Sequence, residues 1–155
     1  MQYREMGIPV PKGVTLERVV DRMRRHYVAV HAEQTFREVE ALMRAGRLRH
    51  VPVIDGELLA GVISHRDLMV DSLGRLEREV PEAALQLLLA RSVAPLVSRE
   101  PQAIGPQASL ADAAALMRAF GIGCLPVVEG GALGRRLLGL ITEADLLAAA
   151  YRQSR

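Results

Sequence analysis

Apolar residues follow a helical spacing first and a strand-like spacing afterwards, and the same order appears twice. Phe36, Val39, Leu42 and Met43 fall on one face of a helix. Thr35 with Glu38 three residues on is a capping box, which places the helix start. The short run His50-Val51-Pro52-Val53-Ile54 then predicts a strand. Asp55-Gly56 is a hairpin signal, and Leu59 to Ile63 is the return strand. Ser64 follows as the cap of a new helix. The unit reads helix, strand, strand, helix.

The second occurrence begins at Ser109, with Asp112 in place of the capping glutamate and Leu110, Ala113 and Met117 on the apolar face. Thr35 meets Ser109, Leu42-Met43 meets Leu116-Met117, and Pro52-Val53 meets Pro126-Val127, all at an offset of 74 residues. After a four-residue insertion, Gly61, Ile63, Ser64, Asp67 and Leu68 meet Gly139, Ile141, Thr142, Asp145 and Leu146. An ordered series of this length marks an internal repeat. The second hairpin, Cys124 to Val128 and Leu137 to Ile141, is expected to carry a longer glycine-rich loop, Glu129 to Arg136. Asp71 to Arg91 reads as a Leu- and Ala-rich helical stretch broken near Pro81. The fold class is mixed α/β (α+β). The expected organisation is an N-terminal arm over residues 1–19, a first repeat over 20–75, a helical connector over 76–92 and a second repeat over 93–152.

Composition removes several function classes. Hydrophobic residues make up 50% of the 155, charged residues 25% and aromatics 3%, so the chain can build an aliphatic core. With no Trp, two Phe and three Tyr, it lacks the stacking platforms of a single-strand nucleic-acid binder. Twenty basic residues against 18 acidic ones leave +2, too even for a general phosphate-backbone binder. The lone Cys124 makes no internal disulfide and fits a reducing, cytoplasmic setting. The first residues show no signal peptide, and Ala83 to Ala90 is too short and too interrupted to span a membrane.

Chemistry concentrates where a strand gives way to a helix. A helix start offers unpaired N–H groups and a partial positive charge, which suit a phosphate. Ser64 stands at that mouth, Arg66 can reach phosphate oxygens, and Asp67 offers two acceptors for ribose hydroxyls. Thr142-Glu143-Ala144-Asp145 repeats the hydroxyl and the acid at the same spacing. The same Ser/Thr-x-x-Asp pattern is also an ordinary helix cap.

Both copies resemble cystathionine-β-synthase (CBS) domains, and the chain is similar to a CBS-domain pair, or Bateman module, over about residues 18–150. The residues that carry the likeness are the Leu-Met helices, the x-Pro-Val strands and Gly-hydrophobic-Ile-Ser/Thr-x-x-Asp-Leu. Val20-Asp21-Arg22-Met23 looks like the family's lead-in to the first copy, and Val93-Ala94-Pro95-Leu96 is a weaker version before the second. The resemblance implies two repeats packed about a pseudo-two-fold axis, with two clefts for adenosine-containing ligands: AMP, ADP, ATP or S-adenosylmethionine. It implies a first site of His31, His50, Val51, Pro52, Ser64, Arg66 and Asp67. It implies a second of Ile104, Cys124, Leu125, Pro126, Thr142 and Asp145, in which Ala144 replaces the basic residue. Adenine is expected between apolar side chains near Val30-His31 and Ala103-Ile104.

Other motifs fall short. His26, His31, His50 and His65 lack metal-ligand spacing. Ser64, His65 and Asp67 are too close in sequence to form a hydrolytic triad. Gly121-Ile122-Gly123 leads to Pro126 and not to the third glycine of a dinucleotide fingerprint. Arg22, Arg24 and Arg25 read as a solvated face. The apolar faces around Leu85, Leu87 and Leu88 and around Leu146, Leu147 and Ala150 exceed what one small domain buries and point to a homodimer. The expected function is a stand-alone, non-catalytic, cytoplasmic sensor. It would need no cofactor beyond its regulatory ligand and would act on an unidentified protein partner. A ligand-free dimerisation scaffold is the alternative, with nucleic-acid binding a weaker one.

Overall fold

In a computed structural model, residues 17–69, 81–131 and 134–152 are described. Most of the expected arm (1–16) and part of the expected connector (70–80) lie outside them. In chain order the elements are α1 (Val19–Arg22), α2 (Phe36–Gly46), β1 (His50–Asp55), β2 (Leu58–Ser64) and a helix α3, which occupies 65–69 of the described residues. Then come α4 (Glu82–Leu89), a 3-10 turn (Ala94–Leu96), α5 (Leu110–Phe120), β3 (Cys124–Gly131), β4 (Gly134–Thr142) and α6 (Glu143–Arg152).

Local chemistry sets the ends of the paired helices. The Thr35 hydroxyl accepts from the Glu38 amide and the Glu38 carboxylate accepts from the Thr35 amide, so α2 starts on a reciprocal cap. Ser109 and Asp112 do the same for α5. Both helices end in a left-handed residue, Arg47 and Gly121. Pro81 starts α4, and no side chain of that helix is buried.

The strands form one antiparallel sheet of order β1-β2-β4-β3. Each hairpin carries a register irregularity at the same place, Val53/Ile54 and Val127/Val128. The two hairpins meet through Leu58 and Arg136. Those residues are equivalent in the repeat, at an offset of 78 (74 plus the four inserted residues), so the joint lies on the pseudo-two-fold axis. The expected eight-residue loop at Glu129–Arg136 is instead ladder: Glu129 pairs with Arg136, Gly130 with Arg135 and Gly131 with Gly134. Glycine runs suggest loops, but an antiparallel partner can hold them extended.

Each half has its own core, and each core borrows from the other half. Val30, Phe36, Val39, Met43, Val51 and Ile63 enclose Val93 in the first. Ala113, Met117, Leu125, Val127 and Ile141 enclose Val19 and Met23 in the second. The backbone agrees: the Val19 amide donates to the Ala108 carbonyl and the Val93 amide to the Gln34 carbonyl, both at 2.9 Å. The lead-in at Val20–Met23, which resembled the start of the first repeat, is therefore built into the second. Residues 17–19, counted with the arm from sequence, are part of that packing.

The crossings need glycine. A Cβ on Gly139 would come within 2.6 Å of the Arg24 carbonyl oxygen. One on Gly61 would overlap the Ser98 carbonyl oxygen and the Val97 side chain.

Candidate functional site

Each hairpin closes on a pair that leads into the following helix: His50 opposite Ser64, and Cys124 opposite Thr142. The Ser64 hydroxyl donates to Asp67 Oδ2 at 2.6 Å and the Ser64 amide to the same oxygen at 3.0 Å. The Asp67 amide donates back to the hydroxyl at 3.1 Å. Thr142 and Asp145 make the same three bonds at 2.7, 3.0 and 3.4 Å. Both pairs are thus helix caps. A cap uses one carboxylate oxygen, Oδ2, and leaves Oδ1 for another donor.

The fate of Oδ1 separates the halves. Arg24 donates through Nε to Asp145 Oδ1 at 2.9 Å and to Oδ2 at 3.2 Å. Its Nη2 also lies 2.9 Å from Oδ1. The Asp145 side chain is only 15% exposed in this pair. Asp67 is exposed, and its Oδ1 has no hydrogen-bond donor among the described residues. Arg66 beside it is exposed as well.

Electrostatics follow from these surroundings. Burial pushes the Asp145 carboxyl up, but Arg24 and the Thr142 hydroxyl and amide together hold it below its ordinary value. Burial first, with Asp145 adding and Arg24 opposing, raises the Cys124 thiol to about 12. That thiol stays protonated at neutral pH and is a poor nucleophile. Burial lowers His50; Asp67 and Glu143 oppose the shift, and Arg49 adds to it.

Not every expected site residue gathers here. His50 and Cys124 stand beside the caps, half-buried. Val51 and Leu125 are fully buried core residues, and Ile104 is 6% exposed in the second core. Pro52 and Pro126 are buried too, and their carbonyls accept from the Val30 and Ile104 amides. The side chains of Val51, Leu125 and Ile104, and of Val30 proposed beside adenine, pack in the two cores. The hydrophobic-x-Pro-Val pattern marks a strand but does not say which face looks outward.

His31 is exposed, and its Nδ1 lies 3.1 Å from the Ile54 carbonyl oxygen. Ile54 is four residues along β1 from His50, roughly 13 Å at strand rise. His31 instead lines a cleft of about 290 Å3 with Glu33, Asp55, Ala60, Ala94 and Arg99. That cleft shares no other residue with the sequence-derived sites.

Two neighbours escaped the sequence reading. Arg24 reaches Asp145 across 121 positions. Glu143 joins the field at His50, across the halves. The only signal for Arg24 was the repeat offset, which sets it against Ser98 and so exposes a difference in charge between the copies.

A duplicated hairpin-and-cap unit with exchanged lead-ins narrows the family, and comparison decides it. The CBS domain profile matches residues 8–73 and again residues 90–152. The chain belongs to the CBS-domain family. A CBS domain-containing protein of Dictyostelium discoideum is 31% identical over 106 residues, 68% of this chain and 71% of its own length. An inosine-5'-monophosphate dehydrogenase of Korarchaeum cryptofilum is 29% identical over 84% of this chain, which spans only 23% of that enzyme. Among solved structures, the CBS-pair protein CBSX2 from Arabidopsis thaliana superposes with a TM-score of 0.72 at 26% identity, over 91% of this chain and 99% of its own. The same protein has been solved in complex with AMP. The CBS pair of protein MJ0100, solved with 5'-methylthioadenosine and S-adenosylmethionine, shares the fold at a TM-score of 0.71 and 17% identity, over 90% of this chain and 99% of its own.

Proposed function

We propose that this CBS pair is a non-catalytic regulatory module that binds an adenosine-containing ligand, AMP, ADP, ATP or S-adenosylmethionine, between its two halves. The observation that carries the reading is Asp67. Ser64 fixes one of its oxygens by two hydrogen bonds, and the other has no protein donor among the described residues. A carboxylate held that way is prepared to accept a ribose hydroxyl without reordering. Arg66, one residue away, offers a guanidinium to a phosphate. AMP bound to CBSX2, a relative of the same fold, supports the ligand class. A ligand that favours one arrangement of the halves would pass its signal to a protein partner. No helix among the described residues is long and apolar enough to cross a membrane, which suits a cytoplasmic protein. Leu87, Leu147 and Tyr151, 73%, 58% and 75% exposed, support a homodimer that covers them.

Calorimetry with the four ligands tests the reading. Asp67→Ala is expected to weaken the best ligand by about tenfold or more, as expected for losing hydrogen bonds to a charged group. Ser64→Ala should weaken it less. Unchanged affinity in both variants would refute the assignment. One observation favours a ligand-free scaffold: both cap hydroxyls already donate to their own aspartates. In that case no nucleotide would raise the melting temperature, because a ligand specific to the folded state must stabilise it.

A further inference from the structure

We infer that Arg24 decides which cleft takes the nucleotide, closing the second by occupying the Asp145 carboxylate and leaving the first open. The inference rests on the adenosine-binding reading above and adds an occupancy to it. The repeat supplies its own control. Arg24 crosses β4 by exchanging two backbone hydrogen bonds with Leu140, at 2.7 and 3.0 Å. Ser98 crosses β2 by the same exchange with Val62, at 3.0 and 3.2 Å. Arg24 and Ser98 stand at the 74-residue offset, and Val62 and Leu140 at 78. The backbone therefore delivers the two residues to equivalent places, and only the side chains differ.

Arginine is long enough to bring Nε and Nη2 onto the carboxylate. Serine is not, and Asp67 Oδ1 is left without a donor among the described residues. A ribose diol would donate to the same lone pairs that Arg24 already fills, so guanidinium and sugar compete for one set of acceptors. The guanidinium holds the advantage, because its bonds are charge-assisted and the Asp145 side chain is mostly shielded from water. In the first half a ribose would displace no donor of the described residues.

Counting AMP molecules per chain, by calorimetry and native mass spectrometry, tests this. The wild-type chain should take one AMP, with any second at least about tenfold weaker. Arg24→Ser gives the second cleft the residue of the first and should yield two, within about threefold of each other. Should that variant fail to fold, Arg24→Gln keeps the stem as far as Cδ, removes the charge and should give the same count. Ser98→Arg should abolish the tight site. Two equal sites in the wild type would overturn the inference. So would a single site lost on Asp145→Ala but kept on Asp67→Ala, or an Arg24→Ser protein that stays at one AMP or binds less. Each of these leaves the adenosine reading standing. AMP bound by none of the proteins removes that reading, and the inference with it.

Discussion

The first half places His50, Ser64, Arg66 and Asp67 where one strand gives way to a helix, and the second places Cys124, Thr142, Ala144 and Asp145 there. Backbone, caps and register irregularity are shared; charge is not. In the first half the carboxylate is exposed, and its nearest arginine in sequence is one residue away on the same helix. In the second the carboxylate is shielded, and its arginine arrives from a segment that belongs by sequence to the other repeat. Duplication has kept the caps and the crossings and changed the charge beside them. The exchange of lead-ins matters because it puts the surroundings of each cap partly under the control of the opposite repeat.

The crossings are the strongest place to attack that comparison. Gly61→Val and Gly139→Val each force a side chain into a neighbouring backbone carbonyl. Each should cost about 3 kcal/mol or more in urea denaturation, at the upper end of overpacking effects. A loss under about 1 kcal/mol at both sites would mean that the lead-in segments do not cross there.

The next effect tests the exchange itself. Val19 and Val93 are 0% and 1% exposed, at equivalent positions, in the cores of opposite halves. Truncating either to Ala should cost about 2 kcal/mol. Hydrogen exchange should show where it acts. Val19→Ala should loosen Cys124–Gly131 and Gly134–Thr142, and Val93→Ala should loosen His50–Asp55 and Leu58–Ser64. The opposite pattern would assign each lead-in to the repeat it precedes in sequence.

That exchange also marks the limit of what the sequence discloses. Thr35, Glu38, Ser109 and Asp112 announce their helices because a capping box acts over three residues. The first hairpin was readable for the same local reason, but the glycine-rich stretch of the second, expected as a loop, is ladder. The offset equates Val19 with Val93 but cannot say whose core each one fills, since a swapped and an unswapped pair have identical spacing. Val51 and Leu125 were legible as strand residues and not as core residues, because β1 and β3 bury consecutive residues, 51–53 and 125–128, and only tertiary packing defines what covers each face. Asp67 and Asp145 were found together, and their inequality was hidden until Arg24 was seen to reach one of them.

The smallest predicted effects are pH limbs, one for each half. The folded Cys124 thiol keeps its proton up to about 12, whereas an unfolded thiol loses it near 9.0. Between those values the native state binds more protons than the unfolded one, so stability falls as pH rises, by about 1 kcal/mol at pH 10. Cys124→Ala should flatten that limb. The first half has no thiol there; it has His50, whose folded value burial lowers from 6.5. Its sign is reversed in pH: below 6.5 the unfolded chain takes up a proton that the folded ring resists, so stability falls as pH falls, levelling off below the folded value. The ring is only half-buried, and Asp67 and Glu143 partly offset its desolvation, so the loss from pH 7 to pH 5 should stay under about 1 kcal/mol. Urea midpoints for the wild type and His50→Gln across that window check it. An acid limb that survives in His50→Gln would assign it to another group, and the two halves would then differ in charge but not in their response to acid.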